Sequence, residues 1–380
     1  MKIKKPGYQS RRNKDGSTAH YWNPNRAVKD APAYLKIVRL GESLTEMEIA
    51  ELCRRYTDEL KRELSAHNGS TSYDGTIRSV IKLYMTDATS TFHSIKHSTR
   101  VHDYGPSLQL LEKNVGDRSI DKLKASDFSR WFKNWREKSH RSASGAIKLL
   151  RIVLSYGAGE RLHGCSEARQ VLSLMRFEQP PAREVYMTYD QCLAIVRASV
   201  VLGCPSIGFV EALKFETALR RIDVIGEWSP NPEGGPFIWH GLCRSSISDD
   251  LILSIKTSKT KSPTSHDLKT LPLVGEALKN FKLPREGPIV IDENTKKPYW
   301  DNRYCEKFRA VRRKAGVPST VWSMDTRAGA ITETINATRS IDAAQKLATH
   351  SNPRTTSRYN RGDGLDHNRA IALTRLEMRK

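Results

Sequence analysis

Five polar residues in the second half of the chain, taken in order, share one chemistry. Arg220 lies in Thr217-Ala218-Leu219-Arg220-Arg221-Ile222-Asp223 and Lys256 in Ser254-Ile255-Lys256-Thr257-Ser258-Lys259. Arg327 follows in Met324-Asp325-Thr326-Arg327, His350 in Leu347-Ala348-Thr349-His350-Ser351, and Tyr359 in Thr355-Thr356-Ser357-Arg358-Tyr359. Singly, each has an ordinary reading: an ion-paired arginine, one lysine beside Lys259 and Lys261, a helix-end charge, a satisfied structural histidine, a half-buried tyrosine. Together they suit attack on a phosphodiester. Such an attack builds charge on two non-bridging oxygens, and the planar forks of Arg220 and Arg327 can hold those oxygens bidentately. Lys256 is the candidate proton donor to the leaving sugar oxygen. His350 can bond the phosphate or assist proton transfer. Tyr359 is the candidate covalent nucleophile. Positive charge from two arginines and a lysine serves this chemistry with no cofactor and no metal.

The elements that carry these residues belong to a strongly basic chain. Its 380 residues have a formal net charge of +21, with Lys and Arg spread along the whole length. A well-mixed basic surface of this kind fits a polyanion, nucleic acid first. An acidic membrane surface fits less well, because no basic amphipathic helix with an aromatic face stands out. No apolar stretch is long enough to span a bilayer, and the start Met1-Lys2-Ile3-Lys4-Lys5-Pro6 has no apolar run behind it. The six cysteines are scattered, with no CxxC pair or zinc spacing, which leads us to expect reduced thiols in the cytosol, with no disulfide and no structural metal.

Along the chain, residues 1–30 are irregular or β-like, with a short hairpin at Asp15-Gly16 between basic flanks. Thr45–Leu64 is expected to be a helix with Met47, Ile49, Leu52, Leu60 and Leu64 as its apolar positions, ending at a linker, His67-Asn68-Gly69-Ser70. From Ser72 to about Phe177 the period is helical throughout. Three stripes mark it: Ile77, Val80, Ile81 and Tyr84; Phe128, Trp131, Phe132 and Trp135, after Ser126 as N-cap; and Ile147, Leu150, Val153 and Leu154. These read as core of an all-α domain. Glu178-Gln179-Pro180-Pro181 is a linker. Beyond it, helices at Tyr189–Val201 and Ile207–Leu219 precede strands at Phe237–Trp239, Leu251–Ile255, Lys269–Leu273 and Pro288–Ile291. Helices return at Asn302–Ala315 and from Asp325 onward, so this half is α+β with a small antiparallel sheet.

In this order and context the boxes resemble the catalytic domain of the tyrosine recombinases, the phage integrase family. That family carries Arg, Lys, His-x-x-Arg, His or Trp, and Tyr. Its T-G-L-R-x-x-E/D box reads TALRRID here, placing Arg220 and a supporting Asp223. Its lysine, in a β-turn and often before Thr-Gly, corresponds to Lys256-Thr257-Ser258. Its L-G-H-S-x-x-x-T-T-x-x-Y box reads LATHSNPRTTSRY. One departure is plain: Met324 stands where His-x-x-Arg would begin. We expect Met324 to pack beneath Arg327, methionine being suited to irregular gaps.

The resemblance implies a multidomain protein: 1–66 an accessory, arm-binding-like region; 67–177 an all-α, SAM-like core-binding domain; 178–184 a linker; and 185–380 an α+β catalytic domain with a C-terminal tail. It implies a site-specific recombinase acting on double-stranded DNA through a 3′-phosphotyrosine, as a homotetramer on paired DNA sites. DNA-bending or directionality proteins are its candidate accessories, and the cytoplasmic nucleoid its place. The two domains would close on duplex DNA from opposite faces. The tail after Gly362-Asp363-Gly364, with Ala370, Leu373 and Leu376 on one helical face, would dock on a neighbour or within its own subunit. Two other readings remain open: a type IB topoisomerase-like relaxase, which rejoins the same strand, and a DNA-binding protein that has lost catalysis.

Overall fold

Wherever apolar residues recur every three or four positions, the chain is helical. The strands are few and short because alternating stretches are few and short. A computed structural model describes residues 4–13, 16–28, 35–41, 44–68, 72–234, 236–361 and 365–377. Asp15 of the expected hairpin, Gly69-Ser70 of the expected linker and the Gly362–Gly364 segment lie outside the described residues, as do the side chains of Leu64 and Ala370. Contacts divide the chain into two units, Met1–Pro181 and Ala182–Lys380. Among the described residues no helix is long and apolar enough to cross a membrane.

The first unit begins with a three-stranded antiparallel sheet, Tyr8–Arg12, Thr18–Trp22 and Val38–Gly41 in that order. Its Trp22 is buried with Ile49, Cys53 and Leu60 of the helix Glu46–Asn68, and its indole donates to Thr57 Oγ1 at 3.0 Å. Thr45 caps that helix: its hydroxyl accepts from Glu48 N, and the Glu48 carboxylate accepts from Thr45 N at 2.8 Å. Met47, expected on the apolar face, is exposed instead. The rest of the unit is helical: Ile77–Thr86, Gly105–Val115, Ala125–Lys138, His140–Gly159 and Cys165–Leu174. All three expected stripes are buried in one core. The helix Ala125–Lys138 starts before the expected Ser126 cap, because the Asp127 carboxylate reaches back to Lys124 N at 3.0 Å.

The second unit is built around the helix Pro205–Thr217, buried on nearly every side. It packs against Tyr189–Val201, Pro272–Leu278, Asp301–Lys314 and Asp325–Thr338. Two antiparallel hairpins lie between these helices in sequence. Glu227–Ser229 pairs with Ile238–His240, and Ile252–Lys256 pairs with Pro263–Asp267 from Ile252 opposite Asp267 to Lys256 opposite Pro263. The polar strand Pro263–Asp267 carries no apolar alternation, so only its pairing reveals it. Lys269–Leu273, expected as a strand, is a helical turn running into the helix Pro272–Leu278. Pro272 sits at the first helical turn, where its missing N–H costs nothing, and Leu271 and Leu273 are too short a run to distinguish strand from helix. Pro288–Ile291 makes isolated bridges, not a strand.

The helix Asp325–Thr338 meets the segment before Tyr189 at Gly329, where a Cβ would lie 1.9 Å from Met187 O and 3.0 Å from the Phe215 ring. Backbone cannot yield as a flexible side chain can. Gly329→Ala is therefore expected to destabilise the protein by roughly 1–3 kcal/mol or more. Thermal unfolding checks this, and an unchanged midpoint would contradict so close an approach.

Candidate active site

The site begins where the central helix stops. Ala218 takes a left-handed conformation, φ +50°, and turns the chain so that Arg220 is extended just before the short helix Arg221–Ile225. Asp223 fixes this corner from both sides. Its Oδ2 accepts from Arg220 N at 3.0 Å. Its Oδ1 accepts from Ser258 N at 2.7 Å and the Ser258 hydroxyl at 2.6 Å. One buried carboxylate thus joins the first arginine box to the turn of the hairpin Ile252–Asp267. The two adjacent arginines separate in role. Arg221 is spent on a bidentate pair with Asp301, both bonds 2.8 Å. Among the described residues, Arg220 has only a 3.9 Å side-chain pairing with Asp223, and its Nη1 is buried with no hydrogen-bond partner.

Arg327 is 4% exposed and gathers three segments. Its Nη1 donates to Ala218 O, and its Nη2 donates to Ala348 O at 2.6 Å and meets His350 Nε2 at 2.8 Å. Nε has no partner. Burial, then the charge of Arg220, lowers its pKa to about 10, so it remains a cation at neutral pH. Because a guanidinium only donates, His350 Nε2 must accept, and the ring proton is on Nδ1, which faces Thr356 Oγ1 at 3.0 Å. Burial, then the charges of Arg327, Arg220 and Lys259, lower the His350 pKa to about 4. His350 is therefore neutral, with its basic nitrogen already occupied.

Tyr359 closes the helix Pro353–Tyr359. Its ring centroid lies 5.4 Å from that of His350, and the guanidinium carbons of Arg327 and Arg361 are 5.8 and 5.9 Å from it. Thr332 Oγ1 donates to Tyr359 O at 3.2 Å and accepts from Arg361 N at 3.1 Å. Arg361 also donates to Val185 O and, at 2.9 Å, to Asp325. Asp325 is fully buried and takes further bonds from Arg183 and from Trp322 N. The segment bearing Tyr359 is thereby tied to the helix that bears Arg327.

The arginines, His350, Tyr359 and Asp223 are thus brought together, while other expected residues fall differently. Lys256 is exposed at the end of its strand. Of the turn lysines, it is Lys259 whose charge bears on His350. Met324 is 50% exposed, so it does not fill a gap beneath Arg327 as expected; its position just ahead of the helix Asp325–Thr338 turns it outward. Tyr304 and Tyr299, the nearest other tyrosines along the chain, are buried in the core.

A buried polar group beneath the second arginine box went unread in the sequence. Glu211 accepts from Lys214 at 2.8 and 2.9 Å, Tyr304 at 2.6 Å, Ser323 at 2.5 Å and Thr326. Lys214 also donates to Ser323 O at 2.6 Å. Burial pulls the lysine pKa down and Glu211 pushes it back up. The available signal was Glu211 and Lys214 one turn apart amid the apolar run 207–215 of this helix.

No protein-family model and no curated protein sequence matches the chain. Solved structures do. A lambda integrase dimer bound to a COC′ core site is 17% identical over 96% of this chain and 97% of its own, with a TM-score of 0.60. A lambda integrase tetramer bound to a Holliday junction is 16% identical over 95% and 97%, with a TM-score of 0.58. The Tn1549 transposon integrase in complex with a circular intermediate DNA is 15% identical over 79% and 100%, with a TM-score of 0.57. At such identities the likeness is one of fold, shared with the lambda and Tn1549 integrases.

The His350 environment has a consequence for stability. Its folded pKa lies below the unfolded value of 6.5, so the unfolded chain takes up a proton first as pH falls. The stability from the neutral ring is full above about pH 6.5 and is lost progressively toward about pH 4. Urea unfolding across this window should show that loss in the wild type and a smaller one in His350→Gln. Equal pH dependence in the two proteins would contradict the buried neutral ring.

Proposed function

We propose that this chain is a site-specific DNA recombinase that cleaves and rejoins duplex DNA through a 3′-phosphotyrosine on Tyr359. One observation carries the reading: Arg220, Arg327, His350 and Tyr359 converge, and within the cluster Arg220 Nη1 and Arg327 Nε are buried donors with no protein partner. Buried donors are costly unless satisfied, and two cationic ones side by side suit the non-bridging oxygens of a phosphate. Tyr359 Oη attacks phosphorus, the bond to the 5′-oxygen breaks, and the arginines hold the charge that develops. Loss of one such donor slows chemistry by roughly 10²–10³.

His350 in this scheme orients Arg327 and does not act as general base, since its Nε2 is occupied and its pKa is about 4. The phenolic proton leaves to a phosphate oxygen or to water, which makes a histidine at the Met324 position unnecessary. The 5′-oxygen takes its proton from a lysine of the turn that Asp223 fixes. Lys259 is favoured over Lys256 because it lies inside the turn, next to the Ser258 that Asp223 holds, and its charge contributes to lowering the His350 pKa. The helical region 67–177 is read as the second DNA-binding domain, residues 178–184 as the linker to the catalytic domain 185–380, and residues 1–66 as an accessory DNA-contacting region with Arg11 and Arg12 exposed on its sheet. The net charge of +21 supports phosphate contacts throughout. The lambda integrase structures are a dimer on a core site and a tetramer on a Holliday junction. By analogy this chain acts as a homotetramer on paired sites, and the exposed Leu373 and Leu376 of the tail helix are available to a neighbouring subunit.

The test uses a nicked suicide duplex carrying a sequence recovered from DNA trapped covalently on the purified protein. Tyr359→Phe should bind this DNA and form no covalent complex. Lys259→Ala should cleave roughly 10²–10⁴ slower and regain rate on a substrate with a 5′-bridging sulfur, which leaves without a proton. Persistent trapping by Tyr359→Phe would refute the nucleophile. Rescue of Lys256→Ala in place of Lys259→Ala would move the proton donor to the strand end.

A further inference from the structure

Thr349 carries two costs at the centre of the site. Its φ of +51° is left-handed, a region that β-branched residues rarely enter. The turn ends the helix Ile341–Leu347, a place where glycine is the usual residue, and glycine also stands here in the motif this segment resembles. In addition, Thr349 Oγ1 is buried and has no hydrogen-bond partner among the described residues. Both neighbours are engaged with the same group: Ala348 O accepts from Arg327 Nη2, and so does His350 Nε2. A glycine would hold that corner without either cost. Strain and an orphaned hydroxyl at one residue point to an interaction made only when the site is occupied.

Resting on the recombinase reading above, we propose that Thr349 Oγ1 donates a hydrogen bond to a non-bridging oxygen of the scissile phosphate, beside Arg327 Nε. Thr349 is then a catalytic residue.

Three variants separate the hydroxyl from the backbone. Thr349→Val keeps the branched side chain and removes the hydroxyl. Thr349→Ser keeps the hydroxyl, and Thr349→Gly removes both the hydroxyl and the strain. Each is assayed for covalent complex formation on the nicked duplex and for thermal unfolding. A hydrogen bond to a charged oxygen predicts a loss of roughly ten- to a hundredfold in cleavage rate for Thr349→Val, with Thr349→Ser within a few-fold of wild type. Thr349→Gly should melt at a higher temperature than wild type yet cleave as slowly as Thr349→Val. On a duplex with a methylphosphonate replacing the contacted oxygen, the gap between wild type and Thr349→Val should close. Cleavage by Thr349→Val or Thr349→Gly at the wild-type rate would overturn the proposal while leaving the recombinase reading intact, as would a Thr349→Ser variant as slow as Thr349→Val. A wild-type protein that forms no covalent complex would overturn both.

Discussion

The guanidinium of Arg327 is the group on which the rest of the site depends. Two of its nitrogens hold the end of the central helix at Ala218, the end of the helix Ile341–Leu347 at Ala348, and the ring of His350. Each of these segments carries, at that position or within two of it, a residue proposed to act on the phosphate or to orient Arg327: Arg220, Thr349 or His350. A planar fork with fixed donor directions can satisfy three acceptors at once, which a flexible ammonium cannot. The same geometry leaves Nε uncommitted. On the proposed reading, structural and chemical roles are thus divided between nitrogens of one side chain.

Holding a buried cation in place requires support around it, and here two buried carboxylates supply much of it. Glu211 braces the approach to the Arg327 helix through Lys214, Ser323 and Thr326. Asp325 braces it from the start of the unit and from beyond Tyr359, through Arg183 and Arg361. Buried ion pairs contribute little net stability, because desolvation offsets their attraction, yet removing one partner costs several kcal/mol. Their effect here is on position: they hold Tyr359, Arg327 and His350 in one register. Asp223 does the same for Arg220 and the lysine-bearing turn.

Arg220, Arg327, His350 and Tyr359, which the structure brings together, could be picked out as candidates in the sequence because residue type and order are not altered by folding. The helical stripes of the first unit were legible for a similar reason: Ile77, Val80, Ile81 and Tyr84 can share one face only on a helix. What could not be read depends on three-dimensional neighbours. Choosing among Lys256, Lys259 and Lys261 needs the pairing of Lys256 with Pro263, which defines where the strand ends and the turn begins. The strand Pro263–Asp267 is itself polar and gave no pattern. Met324 looked like packing because methionine usually packs, and it is half exposed. The work of Asp325 depends on Arg183 and Arg361, which lie 142 and 36 positions away in the chain. The left-handed turns at Ala218 and Thr349 were hidden because neither residue type announces such a turn.

The most direct test of the central claim is Arg327→Lys, followed by thermal unfolding and covalent complex formation. Lysine keeps the charge but cannot donate in fixed directions to Ala218, Ala348 and His350 together while presenting another donor to the phosphate. A lower melting temperature and a cleavage rate reduced by at least about a hundredfold are expected, with DNA binding largely retained. A variant that melts like wild type and cleaves within a few-fold of its rate would contradict that claim.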